Sequence, residues 1–257
     1  MYPILLKVEG FTIRTYGFFI ALGVLIAYNY VLHNARKKNI DVNFVANLSF
    51  LVLFSGFLGG RLFYVLLNFG YYKENILGIL KIWEGGLVFY GGFLVGAVVG
   101  ILYVLVKRKS LLDVLDLFAP AVFLALSIGR LGCFSAGCCY GKPTESFLGV
   151  IFSDPECLAP TGVKIFPTQL FESVYSALIF VILNNWFNTN KLKHKIFFVG
   201  VMMYSVLRFV NEFFRGDDRG GYFLSLSVAQ VIGIVLFMLN LGFIIYISYC
   251  ENRNSKS

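Results

Sequence analysis

The sequence predicts an all-α membrane protein: seven transmembrane helices, with the N-terminus outside and the C-terminus in the cytoplasm. Three observations carry this expectation. The 257 residues are 58% hydrophobic and only 14% charged, where soluble chains carry about 25% charged residues. Apolar stretches long enough to cross roughly 30 Å of hydrocarbon recur along the whole chain. The segments between them alternate in charge: alternate loops hold 11 basic against 4 acidic residues, and the opposite loops hold 8 of each. Short cytoplasmic loops are enriched in Lys and Arg, so the basic set marks the cytoplasmic face.

In order, the spans fall at 17–33, 44–67, 86–106, 112–131, 166–187, 196–214 and 222–248. Arg36, Lys37 and Lys38 follow the first, Lys107, Arg108 and Lys109 the third, Lys191, Lys193 and Lys195 the fifth, and Arg253 and Lys256 the last. Asp41, Asp113, Asp116 and Glu251 lie among them. Anionic lipids of the cytoplasmic leaflet account for this excess, which leaves nucleic acid without a claim on it. Lys7, Glu9 and Arg14 interrupt the first 16 residues, so no cleavable signal is expected there. Residues 1–250 read as a single polytopic domain and 251–257 as a short, frayed cytoplasmic tail.

With the loop charges set aside, Arg61, Arg130, Glu172, Arg208 and Glu212 remain inside or at the edge of spans. A charge persists there only when it faces a bundle interior or a partner, so these five mark a site. Arg130 closes the fourth span and opens a segment running from Gly129 to Gly141 whose four glycines let backbone N–H groups approach a ligand. A guanidinium fork matches phosphate oxygens in pairs. Tyr204, Arg208, Glu212 and Arg215 share one helical stripe. Two or three arginines against two buried carboxylates leave positive charge that an anion would balance. Pro167 suits a helix start and Thr168 a cap, with Gln169 and Glu172 one turn on. A glycine-rich stretch runs from Trp83 to Gly92 and carries Tyr90, and Arg61 follows Gly59 and Gly60 in the outer half of the second span.

His33 and His194 fall at cytoplasmic edges, away from an outer-face site. Cys133, Cys138, Cys139 and Cys157 fall outside, where oxidation is permitted, and allow three pairings. Cys138 and Cys139 can hardly bond each other without strain. The same cysteines lack the paired C-x-x-C spacing of the usual zinc site and have no histidine nearby.

These pieces resemble, in order and over nearly the whole chain, the bacterial prolipoprotein diacylglyceryl transferase family: Tyr16-Gly17, Gly59-Gly60-Arg61, Trp83 to Gly92, Gly129 to Gly141, Pro167 to Glu172, and Tyr204 to Arg215. The resemblance implies transfer of diacylglyceryl from phosphatidylglycerol to the thiol of a lipobox cysteine in a pre-lipoprotein, with release of glycerol 1-phosphate. No metal or soluble cofactor is implied. It implies a multi-pass protein of the bacterial cytoplasmic (inner) membrane with its site toward the outer leaflet. Arg130 and Arg208 take the place of arginines that hold the lipid phosphate. Tyr16, Gly141, Glu212 and Gln230 match further site positions, and Arg61, Gln169, Glu172 and Tyr204 are expected beside them. Tyr90 stands where that family carries histidine, and Cys133, Ala136 and Cys138 replace two asparagines and an acidic residue. Tyr90 is then a hydrogen-bond donor, or a phenol whose proton the arginines loosen. Two other readings fit the same arginines: transfer to a different acceptor, and non-catalytic binding or transport of a lipid or anion. Transport is disfavoured because no internal repeat is present.

Overall fold

A computed structural model describes residues 2–8, 11–81, 85–217, 221–223 and 226–254, and the backbone alone at 8, 11, 222, 223 and 254. Trp83 and Glu84 of the glycine-rich stretch, and the charges Glu9, Asp218, Arg219 and Lys256, lie outside the described residues. The chain opens with an antiparallel hairpin, β1 (Ile4–Val8) and β2 (Phe11–Arg14), that runs straight into α1 (Thr15–Lys37). Then come α2 (Val42–Leu67), the short α3 (Phe69–Glu74), a 3₁₀ turn (Ile76–Leu80), α4 (Phe89–Val106) and α5 (Leu111–Ala136). The two-residue strands β3 (Val150–Ile151) and β4 (Lys164–Ile165) precede α6 (Thr168–Asn188) and α7 (Ile196–Glu212). A second small hairpin, β5 (Tyr222–Phe223) and β6 (Leu226–Ser227), leads into α8 (Val228–Asn254).

Six of these helices, α1, α2, α4, α5, α6 and α8, are long and apolar enough to cross a membrane. Helix α7, at 17 residues, is shorter and carries Arg208 and Glu212 in its last two turns. Helix α8 continues through Asn254, so Glu251 is helical rather than part of a frayed tail, and it accepts a 2.6 Å bond from Lys195 Nζ.

The Cα framework divides into two compact units, 32–114 and 1–31 with 115–257. In the first, α2 and α4 meet through glycines. A methyl added at Gly59 would sit 2.8 Å from the Gly91 carbonyl oxygen, and one at Gly92 would sit 2.8 Å from that of Gly56. Small residues of this kind let transmembrane backbones touch. Asp41 starts α2 by accepting from the backbone N–H groups of Asn43 and Phe44 at 2.9 and 3.2 Å.

Arg61 has a structural duty in this unit. Its Nε donates to the Ile79 carbonyl, Nη1 to Gly85 and Gly86, and Nη2 to Gly78 and Lys81, at 2.6–3.3 Å. The guanidinium ties down the connection between α3 and α4 from within. This corrects its expected role as a substrate ligand, because the donors that would meet a phosphate are spent on backbone carbonyls. Gly85 and Gly86 sit at φ +87° and +82°, the left-handed region that glycine enters without cost.

In the second unit, Gly129 and Gly132 are interior residues of α5, and they serve packing rather than ligand approach. A methyl at Gly132 would lie 3.0 Å from Phe19 Cβ and 3.1 Å from the Tyr16 carbonyl oxygen, so the glycine lets α1 lie against α5. Arg130 is therefore not at a helix end: α5 continues to Ala136 and stops at Gly137, whose φ of +75° closes the helix. Asp116, also on α5, accepts from the N–H of Phe197 at 3.2 Å and from that of His194, and so caps the start of α7 from another helix. The 137–167 connection carries its own small core of Phe152, Cys157, Ala159 and Ile165.

Candidate functional site

Apart from Asp116, which caps the start of α7, the buried charges described in the second unit gather around Arg130, Arg208 and Arg215. Arg130 Nη2 pairs with Glu172 Oε1 on α6 at 2.8 Å. Tyr204 on α7 donates its hydroxyl to the same Glu172 oxygen at 2.6 Å. One turn on, Arg208 pairs with Glu212, which also accepts from Ser227 Oγ at 3.0 Å. Arg215 binds Asp217 at 2.7 Å through Nη2 and at 2.9 Å through Nε, and lies 3.7 Å from Glu212. Both Arg130 and Arg208 act electrostatically on the hydroxyls of Tyr204 and Tyr175, which places the two guanidiniums around one group of phenols.

The expected surplus of positive charge is corrected here. Asp217, two residues beyond Arg215, supplies a third carboxylate, so three arginines face three acids. Its spacing from the stripe hid it: i+2 on a helix points away, and only the turn after α7 brings it back. Burial works against the charge on Arg215, but the bonds from Asp217 outweigh it and raise the guanidinium above its ordinary value. The network is neutral yet not saturated. Among the described residues, the buried Arg130 Nε and Arg215 Nη1 have no hydrogen-bond partner. Among the described residues Arg130 Nη1 meets sulfur, Cys133 at 3.8 Å and Cys139 at 3.7 Å. A buried donor without an acceptor costs about 1–3 kcal/mol, more when charged.

The turn after α5 is fixed by the start of α6. Thr168 Oγ1 donates to the Cys139 carbonyl and Gln169 Nε2 to the Cys138 carbonyl, both at 2.7 Å. Thr168 is thus the first helical residue and a clamp rather than a cap. The cap is Pro167, which makes no side-chain capping bond. Cys139 is held at φ +62°, a conformation that costs a non-glycine residue on the order of 1–3 kcal/mol and that the two clamps sustain. Gly141 is a crossing point: its N–H donates to Phe166 at 3.0 Å, and it bridges to Arg215. Gln230 and Ser227 cap α8 reciprocally. The Gln230 side chain accepts from the Ser227 N–H at 2.9 Å, and Ser227 Oγ accepts from the Gln230 N–H at 3.3 Å.

Of the residues singled out by sequence, Tyr16, Arg130, Gln169, Glu172, Tyr204, Arg208 and Glu212 therefore belong to one constellation. Tyr16 is 43% exposed and in electrostatic contact with Arg130 and the three neighbouring cysteines. Gly141 and Gln230 build its walls through backbone packing and capping. Tyr90, 68% exposed, belongs to the other unit. Sequence reasoning missed Asp217 and the sulfur contacts of Arg130. None of the five cysteines is in a disulfide.

The chain matches the family described as prolipoprotein diacylglyceryl transferase over residues 3–246. It is 36% identical over 250 residues to the phosphatidylglycerol–prolipoprotein diacylglyceryl transferase of Clostridium tetani, covering 96% of this chain and 97% of that one. It is 35% identical to the second such protein of Clostridium perfringens, covering 93% and 92% of the two chains, and 34% identical to that of Finegoldia magna, covering 95% and 94%. An arginine-centred network assembled from the motifs of Gly129 to Gly141, Pro167 to Glu172 and Tyr204 to Arg215, and a match over almost the full length, lead to one conclusion: the chain belongs to the prolipoprotein diacylglyceryl transferase family.

Proposed function

We propose that the protein transfers the diacylglyceryl group of phosphatidylglycerol to the thiol of a lipobox cysteine in a prolipoprotein. The sulfur attacks the glycerol carbon that carries the phosphate ester. A C–S bond forms, the C–O bond breaks, and the departing oxygen leaves as glycerol 1-phosphate while the thiol proton passes to the phosphate or to water. The reading rests on the unfilled donors of Arg130 and Arg215 beside the Arg208–Glu212 pair. A phosphodiester brings one negative charge to a network already balanced and gives those donors acceptors. As the ester oxygen leaves, its charge grows, and prepositioned guanidiniums stabilise it more than the bound lipid. Nearby arginines also favour the thiolate over the thiol of the incoming cysteine.

Helix α7 serves as the seventh span. Its buried arginine and glutamate lower its apparent hydropathy, but within a bundle they face partners rather than lipid. With the basic loops in the cytoplasm, the N-terminus is outside, and the network lies toward the outer leaflet of the bacterial cytoplasmic membrane. The test is direct: purified protein in phosphatidylglycerol bilayers, given a lipobox peptide, yields peptide heavier by one diacylglyceryl group. No adduct with the wild-type protein would refute the assignment for this substrate pair.

A further inference from the structure

Three cysteines gather beside Arg130, two of them in contact with its guanidinium. Cys133 is buried at the end of α5, and Cys138 and Cys139 follow in the turn; their three Sγ atoms all lie within 4.8 Å of one another. The sequence argued against a metal here on spacing and on the lack of a nearby histidine. The fold overrides that argument: Gly137 reverses the chain at φ +75°, and Cys139 at φ +62° turns a second time, so sulfurs five and six residues apart are gathered. Gln169 and Thr168 pin the carbonyls of the two turn cysteines. Such pinning holds the ligands in place before any ion arrives.

We propose that Cys133, Cys138 and Cys139 form a three-thiolate site for a thiophilic closed-shell cation of the zinc class. With metal–sulfur bonds of about 2.3 Å, three sulfurs around one ion stand about 4 Å apart, so closure asks for less than about 1 Å of thiol rotation. Soft thiolates select such ions over hard ones. Binding exchanges three S–H protons for one divalent ion and leaves the cluster with a single net negative charge. Arg130 Nη1, 3.7–3.8 Å from two of the sulfurs, is placed to balance it. Arg215, in electrostatic interaction with Cys139, is a second counter-charge. With three protein ligands the ion keeps a fourth position for water or an incoming group. If the transferase reading holds, Arg130 then lies between two anions, the lipid phosphate and the loaded sulfur cluster; the ion site itself does not depend on that reading.

The test uses the full chain, reduced and stripped of metal with a chelator, and reads ion binding rather than turnover. Cadmium is the probe, zinc the competitor, and maleimide labelling with mass spectrometry counts reactive thiols. One equivalent of cadmium is expected to protect Cys133, Cys138 and Cys139 together, leave Cys157 and Cys250 labelling at unchanged rates, and be displaced by zinc and by chelator. Cys138→Ser, with its thermal transition checked against the parent, is expected to weaken binding at least about 100-fold, the upper range for a lost outer-sphere partner alone. Unchanged labelling of the three thiols, protection of only one, or equal affinity in Cys138→Ser would overturn the proposal. A protein without transferase activity that still binds cadmium in this way would leave it standing.

Discussion

Removing Arg130 does two things at once, and a second substitution separates them. Arg130 and Glu172 are 2.8 Å apart, with the Glu172 side chain 1% exposed. Arg130→Ala strands a buried carboxylate, which costs about 3–5 kcal/mol of stability. On the proposed mechanism it also removes a donor to the departing phosphate, worth roughly 10² to 10³ in rate. Glu172→Gln keeps an acceptor for the 2.6 Å bond from Tyr204 while removing the charge that Arg130 balanced. The double variant Arg130→Ala/Glu172→Gln is therefore expected to regain most of the lost stability, because no buried ion remains unpaired. Its turnover should stay down by the same factor of roughly 10² to 10³. Thermal unfolding in phosphatidylglycerol nanodiscs gives the first quantity, and formation of the diacylglyceryl peptide gives the second. A double variant that recovers both stability and turnover would show that Arg130 merely neutralises Glu172, and the phosphate-binding argument would fail.

Three further outcomes follow from the same geometry. Arg61→Lys cannot reproduce a fork that reaches five carbonyls, and with about 1 kcal/mol for each lost bond it should lower stability by about 2–4 kcal/mol, read as a fall in thermal midpoint. Gln230→Ala removes half of the reciprocal cap on α8 and should cost about 1 kcal/mol, with the phosphatidylglycerol KM nearly unchanged; a KM rise of tenfold or more would return Gln230 to the pocket. Gly141→Ala places a methyl 2.5 Å from the Phe166 carbonyl oxygen and should destabilise by about 1–3 kcal/mol, checked by thermal unfolding with Gly162→Ala, where nothing lies within 4 Å, compared for its backbone strain alone.

Hydropathy located six helices long and apolar enough to cross a membrane, because lipid asks for long apolar runs whatever their partners, and those at 42–67, 89–106 and 168–188 differ from expectation by a few residues at their starts. The ends were harder. Gly129 and Gly132 read as backbone left open to a ligand, yet both lie inside α5 and admit α1, because sequence does not tell a glycine that lets a helix approach from one that lets a ligand approach. The last span was drawn from 222, but β5 occupies 222–223, β6 occupies 226–227, and the Ser227–Gln230 cap fixes the true start at 228. The stripe Tyr204–Arg208–Glu212 was legible since helical period alone aligns it. Pairings across the chain, Arg130 with Glu172 or Asp116 with the start of α7, needed the fold. The duty of Arg61 was invisible, since its partners are carbonyl oxygens that every residue carries.

The seam joining α2 to α4 brings main chain against main chain at Gly56 and Gly92, and sets Val95 and Phe63 against Gly59 and Gly91. Where backbone meets backbone there is no rotamer to exchange, so the contact resists alteration in a way that side-chain contacts do not. Lipid-facing positions of these two helices can drift among apolar residues at small cost, while Gly59 and Gly92 refuse even a methyl. Tolerance along this pair should therefore fall into two sharply separated classes, with little in between.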